Sequence, residues 1–340
     1  MRKRPEPLLQ RPALALARGW PEHYRGMDPL SDVLRAVRLN GAFFYQVEAA
    51  SPWSVSTVAA QQLTPEVMPD AEQLIPYHIL VSGVCWAGVQ GDSQVCMQPG
   101  DVIVFPHGDP HFLSSHEGQH VGNDHEGAVP LRYPDTVFLG PDALRDTQFV
   151  CGFLGCDVRP FNPLLASLPR CLHLPGVAGG WLSQFPQQVV AESRLERVGG
   201  ETMLTRMAEL MFIEVVRRHV EQAAPQHGWL AGLRDPIVGP TLALLHERPA
   251  HPWSLPELAR EIATSRTVLA DRFSAIVGVP PMLYLTRWRL QLAAEKLARG
   301  SAKIASVGAQ VGYESEAAFS RAFKRETGVS PAAWRRARRR

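Results

Sequence analysis

A motif that occurs twice near the C-terminal end constrains the fold of this chain more than any other feature. Leu255-Pro-Glu-Leu-Ala-Arg-Glu-Ile262 is echoed, about 50 residues on, by Ile304-Ala-Ser-Val-Gly-Ala-Gln-Val311. After each copy comes a small break and a Ser able to cap a helix, Ser265 or Ser315. An amphipathic run ending in Phe273 or Phe323 follows, then Gly278-Val279 or Gly328-Val329, and finally Pro281 or Pro331. Each unit reads as helix, tight turn, helix.

In the first unit Leu255, Leu258, Ala259 and Ile262 share one helical face, and Ser254 followed by Glu257 forms a capping box at its start. The second helix is expected to turn Val268, Leu269, Phe273 and Ile276 inward and Arg266, Thr267, Ala270, Asp271 and Ser274 outward. The equivalent outward set in the second unit is Glu316, Ala317, Ser320, Arg321 and Lys324. A face of this kind fits a DNA major groove. Between the units Leu285, Trp288, Leu292, Ala293 and Leu297 give Met282–Arg299 a helical period, spanning roughly 27 Å at about 1.5 Å per residue. That length separates two reading helices by nearly one turn of B-DNA, about 34 Å.

From Pro236 to Arg338 the chain resembles the tandem helix-turn-helix domain of the AraC/XylS family of bacterial transcription regulators, most closely over Gly312-Tyr-Glu-Ser-Glu-Ala-Ala-Phe-Ser-Arg-Ala-Phe-Lys-Arg-Glu-Thr-Gly-Val-Ser-Pro331. The resemblance implies recognition helices over about Ser265–Ile276 and Ser315–Glu326. It places Thr267, Ala270 and Asp271, and Glu316, Ala317 and Arg321, at base-facing positions, with Arg321 foremost. Arg266, Arg272, Ser320 and Lys324 complete the expected DNA-binding set, with Arg266, Arg272 and Lys324 equally suited to phosphate. Asp271 puts a carboxylate where phosphate repels it, unless it accepts from a cytosine amino group or pairs with Arg272. The partners implied are double-stranded DNA and, by the family resemblance, RNA polymerase, with activation the commoner outcome.

Charge divides in the same way. Residues 236–340 carry 17 Lys and Arg against 8 Asp and Glu, and residues 1–235 carry 18 against 25. The basic excess lies where DNA is expected, and the tail from Trp334 to Arg340 adds attraction that salt weakens, or is simply a solvated end. An apolar content of 45% with 20% charged residues is ordinary for a globular protein. No stretch is apolar enough to span a membrane and no secretory core opens the chain, so a cytoplasmic, nucleoid-associated location is expected. Residues 1–26, with six basic and two acidic side chains, read as a disordered extension; a helix is expected to begin near Met27–Leu34, with Asp28 or Ser31 as cap.

Short β-type runs occupy Gly41 to Phe153, among them Ala42–Val47, Pro76–Val81 and Val102–Phe105, separated by Gly, Asp and Pro turns. Many short strands with frequent turns suggest an antiparallel barrel. Gly100-Asp-Val-Ile-Val-Phe-Pro-His-Gly-Asp-Pro-His111 is similar to the second cupin motif, and the front half resembles the cupin-type sensor found ahead of many AraC-type helix-turn-helix domains. The fold class expected is therefore α+β: a cupin-like antiparallel β-barrel over 27–186, helices over 187–222, a linker over 223–235 and an all-α tandem helix-turn-helix over 236–340.

The resemblance implies a small-molecule effector at the barrel mouth, with Tyr77, His78, His107 and His111 as lining. No cofactor is required. A divalent metal on His78, His107 and His111 is a further option, since neutral imidazole suits Zn, Fe or Ni. The first cupin motif is reduced to His78 alone, and no catalysis is expected; a metal-dependent cupin enzyme fused to a DNA-binding domain, and a non-specific architectural DNA binder, are the competing classes. His116 to His125 is rich in His but reads as a loop.

Cysteines 85, 96, 151, 156 and 171 are odd in number and fit no closed disulfide framework. Cys85 with Cys96 across a hairpin, or Cys151 with Cys156 across a Gly-rich bend, is a possible redox pair through which an oxidant acts; small buried side chains are the alternative. In 187–222, Leu204, Met207, Leu210, Met211 and Val215 form an apolar stripe that packs on its own barrel or on a second copy in a homodimer. A hinge in the Pro- and Gly-containing 223–235 would link effector to reading heads.

Overall fold

The computed structural model describes residues 24, 26–37, 39–118, 136–176, 184–194, 198–222 and 227–338. Most of the expected extension, much of the His116–His125 stretch and residues 223–226 lie outside them. The described residues form two compact units, one from those within 37–158 and 168–222, the other from those within 227–338, 159–167 and 24–36.

The first unit carries strands β1 (Leu39–Ala49), β2 (Ser54–Ser56), β3 (Gln73–Ser82), β4 (Cys85–Val89), β5 (Val95–Met97), β6 (Val102–Val104), β7 (His111–Ser114), β8 (Thr136–Leu139), β9 (Thr147–Cys156) and β10 (Leu172–Leu174). They make a six-stranded sheet in the order β10-β6-β3-β9-β1-β8 and a four-stranded sheet in the order β2-β7-β4-β5. Val47, Leu80, Ala87, Ile103, Leu113 and Phe149 fill the core between them. The pairing is antiparallel throughout except for β1 with β8, which run parallel with Gln46 opposite Thr136. The sheet is thus mixed where an antiparallel one is expected: a parallel pair needs a long crossover, and strands β2 to β7 intervene between β1 and β8 in the chain.

Helix α1 (Pro29–Ala36) begins on Asp28, whose Oδ1 accepts the Ser31 N–H at 3.0 Å. It packs on the C-terminal unit, as does 159–167; both differ from the sequence boundary that gave 27–186 to the sensor. The barrel unit also contains α2 (Ala60–Val67), α3 (Phe185–Arg194) and α4 (Gly200–Gln222). On α4 the face bearing Leu204, Ala208, Met211 and Val215 is buried against the barrel, whereas Met203 and Leu210 are exposed.

The C-terminal unit is helical: α5 (Trp229–Gly232), α6 (Val238–Glu247), α7 (Leu255–Glu261), α8 (Arg266–Val277), α9 (Pro281–Arg299), α10 (Ile304–Gln310), α11 (Glu316–Thr327) and α12 (Pro331–Ala337). The expected linker is corrected here: 227–235 is folded, with Trp229 and Leu230 buried and the Trp229 N–H donating to Ser167 Oγ at 2.8 Å. An indole and a leucine of this size stabilise more by burial than a solvated linker offers. Among the described residues no single helix is long and apolar enough to cross a membrane.

Candidate functional site

Helix α7 starts on Ser254, whose side chain accepts from Glu257 N–H, while the Glu257 carboxylate turns to His251 at 2.9 Å instead of back to the cap. The chain reverses at Ala263, the one non-glycine residue with positive φ among those described, at 52°. Ser265 then caps α8 by accepting from Val268 N–H at 3.2 Å, and Gly278 closes it in the left-handed region at φ 83°. Leu269 and Phe273 carry the core contact. Val268, expected inward, is 46% exposed, because one residue before Leu269 lies about 100° around the helix from the Leu269–Phe273 stripe.

The outer face of α8 presents Arg266, Thr267 and Asp271 to solvent, with Ala270 half-buried. Arg272 is engaged elsewhere: its Nε and Nη2 donate to Asp235 Oδ2 at 2.8 and 2.7 Å, and Asp235 Oδ1 accepts from Ile237 and Val238 N–H at 2.9 Å each. The Arg272 to Asp271 pairing is therefore replaced by one that ties α8 to the start of α6. Burial alone would raise the Asp235 carboxyl; Arg272 and the two backbone donors outweigh it and hold the group below the usual carboxylate range.

The second unit repeats the plan. Gly312 makes the turn at φ 89°, Ser315 caps α11 through Ala318 N–H at 3.2 Å, and Gly328 ends it at φ 79°. Gly308 of α10 lies against Phe319 so closely that a Cβ there would stand 3.0 Å from the ring. Phe319, Phe323 and Trp334 form the core, leaving Glu316, Ala317, Arg321 and Lys324 exposed and Ser320 half-buried. Helix α9 joins the two units, and Arg287 on it pairs with Glu326 of α11 at 3.0 Å.

In the barrel, cross-strand register sets a row of three polar side chains: Tyr45 on β1 and His78 on β3 each lie opposite Cys151 on the intervening β9. Cys151 Sγ is 2.7 Å from His78 Nδ1, and His78 Nε2 is 2.8 Å from Nε2 of His111, which reaches over from β7 of the other sheet. The tautomers follow from the end of the chain of contacts. His111 Nδ1 is 2.9 Å from the Asp109 carbonyl, which only accepts, and 2.9 Å from Thr57 Oγ1, whose proton goes to the His111 carbonyl at 3.1 Å, so Nδ1 carries the proton and Nε2 is bare. His78 must then donate from Nε2 and accept at Nδ1, and the Cys151 thiol donates to it. Burial pushes both imidazoles down, His111 to about 4, and pushes the Cys151 thiol up, so all three groups are neutral near pH 7.

Tyr45, His78 and Cys151 border a cavity of ≈ 50 Å³ whose remaining wall is largely Val, Leu and Phe side chains, among them Val55, Leu113 and Phe149. No charged residue lines it.

A family model described as Cupin matches residues 28–221, and one described as Helix-turn-helix domain matches 258–337. The chain is 33% identical over 314 residues to an AraC-like transcription regulator of Streptomyces antibioticus, covering 91% of this chain and 99% of that protein. The chain belongs to the AraC-like transcription regulators. It is also similar to the HTH-type transcriptional regulator AlkR of Acinetobacter baylyi, at 28% identity over 91% of this chain and 99% of that one. The solved DNA-binding domain of AdpA, in complex with a target DNA, matches 31% of this chain and 94% of that domain at 28% identity, with a TM-score of 0.30.

Within this AraC-like regulator the expected sensor residues separate. His78 borders the cavity and His111 supports it. Tyr77, next to His78 on β3, points to the opposite face and meets Phe44 at 5.8 Å between ring centroids. His107 is exposed and its Nε2 donates to the Leu168 carbonyl at 2.9 Å. Among the described residues no three His, Cys, Asp or Glu side chains gather as metal ligands, and the two Nε2 atoms of His78 and His111 are spent on each other. The donor set does not fit a three-ligand metal centre.

Neither expected cysteine pair is brought together. On the β4/β5 hairpin Cys85 lies opposite Met97 and Cys96 opposite Trp86, so the two thiols are on opposite faces. Cys151 and Cys156 occupy one continuous strand, five residues and about 16 Å apart, also on opposite faces. The bend expected between them is absent because β9 pairs along its whole length with β1. Cys85, Cys96, Cys151, Cys156 and Cys171, all among the described residues, form no disulfide. Sequence reasoning missed Tyr45 as a lining residue, although the alternation of Tyr45 and Val47 on β1 with Phe149 and Cys151 on β9 carries that signal.

Proposed function

We propose that this regulator reads bipartite operators in double-stranded DNA, with α8 and α11 entering successive major grooves. The observation that supports this most directly is the duplicated geometry: two helices of twelve residues, each Ser-capped and Gly-terminated, each with an outer face free of core side chains, at the two ends of α9. Base-edge contacts are assigned to Thr267, Ala270 and Asp271 of α8 and to Glu316, Ala317, Ser320 and Arg321 of α11. Arg266 and Lys324 contact phosphate, while Arg272, held by Asp235, orients α8. The barrel cavity receives a small uncharged effector, contacted by His78, which His111 holds in place. The protein acts at the nucleoid with RNA polymerase as partner, carries no metal or other cofactor and turns over no substrate.

The exposed Met203 and Leu210 of α4, with Met207 half-buried between them, support a homodimer through that face. The reading of Arg321 is tested by titrating wild-type and Arg321→Ala protein against a selected duplex and its single-base variants. A loss of about 1–3 kcal/mol with relaxed discrimination at one base pair supports a base contact. A uniform loss across sequences assigns Arg321 to phosphate, and no loss contradicts the assignment of α11.

A further inference from the structure

The barrel holds a nucleophile arrangement that DNA reading does not use. Cys151 is 2% exposed on the surface but borders the cavity, so what reaches its sulfur arrives through that space. Its proton has a fixed destination, because His78 Nδ1 is a bare acceptor at 2.7 Å. From there the proton can be relayed: His78 passes its Nε2 proton to His111 Nε2 at 2.8 Å, and the resulting imidazolium keeps its Nδ1–H on the Asp109 carbonyl, with the Asp109 carboxylate favouring the charge. The Tyr45 hydroxyl hydrogen-bonds the same sulfur and stabilises negative charge developing there.

The geometry points to Cys151 as a covalent capture site for a small, uncharged carbon electrophile of the α,β-unsaturated carbonyl class, with His78 as its general base. This deepens, and rests on, the reading of the cavity as the effector site. Size and polarity select the class. A space of ≈ 50 Å³ admits only a small molecule, and a wall without charge excludes ionic reagents. In the reaction the Sγ–C bond forms at the β-carbon while the C=C π pair moves toward the carbonyl. The thiol proton goes to His78 Nδ1 and returns to the α-carbon, so the adduct is a neutral thioether and no oxidant is involved. A resting thiol rather than a thiolate keeps the site inert until an electrophile is seated.

The test incubates the full-length protein with substoichiometric propenal and follows site-resolved adduct formation by mass spectrometry, with the half-exposed Cys96 as internal reference. Cys151 is expected to be modified faster than Cys96 by propenal but not by anionic iodoacetate. His78→Phe should slow the Cys151 reaction by on the order of a hundredfold. Tyr45→Phe, which keeps the ring, should slow it less, and circular dichroism checks that both variants fold. Cys96 reacting first, or a Cys151 rate indifferent to both substitutions, overturns the capture site. DNA affinity with and without the adduct is read separately. An adduct that leaves affinity unchanged upholds capture and overturns the effector reading; affinity altered by propenal in protein that carries no Cys151 adduct upholds the effector reading and overturns capture.

Discussion

The side-chain amide of Gln291 on α9 donates to the carbonyl of Ala36, the last residue of α1, at 3.0 Å. Its Oε1 accepts the Phe161 N–H at 3.1 Å, so one buried carboxamide holds two chain segments far from it in sequence. Each segment continues directly into a cavity-lining strand: Ala36 precedes β1, which carries Tyr45, and Phe161 follows β9, which carries Cys151. The two strands pair at that end, Leu39 opposite Cys156. Gln291→Leu keeps the volume and leaves both backbone groups without a partner, so it should lower stability by about 1–3 kcal/mol in chemical denaturation. An unchanged midpoint would show that neither hydrogen bond contributes.

The two helix-turn-helix turns make opposite predictions at equivalent positions. Ala263 holds φ 52° and Gly312 φ 89°, each directly after the C-cap of the first helix of its unit. Ala263→Gly should stabilise by up to about 1 kcal/mol, because the left-handed conformation strains a Cβ. Gly312→Ala should destabilise, since its Cβ would fall 2.7 Å from the Ala250 carbonyl oxygen. Thermal melts of the two variants check both signs.

Phe323 is 0% exposed at the centre of the second unit, against Phe319 and Trp334. Phe323→Ala should cost about 3–5 kcal/mol and abolish operator binding through loss of α11. Retained binding at wild-type affinity would remove α11 from the interface.

Buried histidines set a pH dependence. His111 is lowered to about 4 and His246 to about 3, both by desolvation, and His78 is lowered well below its ordinary value, again by desolvation first. In the unfolded chain a His titrates near about 6.5. Between these values the unfolded state binds more protons than the folded one, so stability rises with pH there and is lost as pH falls below about 6.5. Each such His contributes a slope of about 1.4 kcal/mol per pH unit. The urea midpoint should drop from pH 7 to pH 5, and His246→Phe should flatten that drop; a flat wild-type profile would contradict the neutral assignments.

The reading heads were legible because every step of their construction is local: a Ser cap, a four-residue apolar rhythm, a Gly stop. Val268 departed by one helical step, and Arg272 found Asp235, a partner 37 residues away that no local pattern announces. The barrel was legible as strands but not as a site. His107 and His111 sit in one motif, yet a turn sends His107 to Leu168 and a strand sends His111 to His78. The row Tyr45, Cys151, His78 depends on register between strands far apart in sequence, 73 residues between His78 and Cys151, and a slip of one residue would turn each side chain to the other face. For the same reason the cysteine pairs, adjacent in sequence, are separated by strand alternation.

Binding-site selection with the purified full-length protein at physiological salt tests the account most directly. The account predicts one enriched motif with two contact blocks about one helical turn apart, and discrimination relaxed at one base pair of the second block in Arg321→Ala. Salt-sensitive binding without an enriched sequence would contradict it.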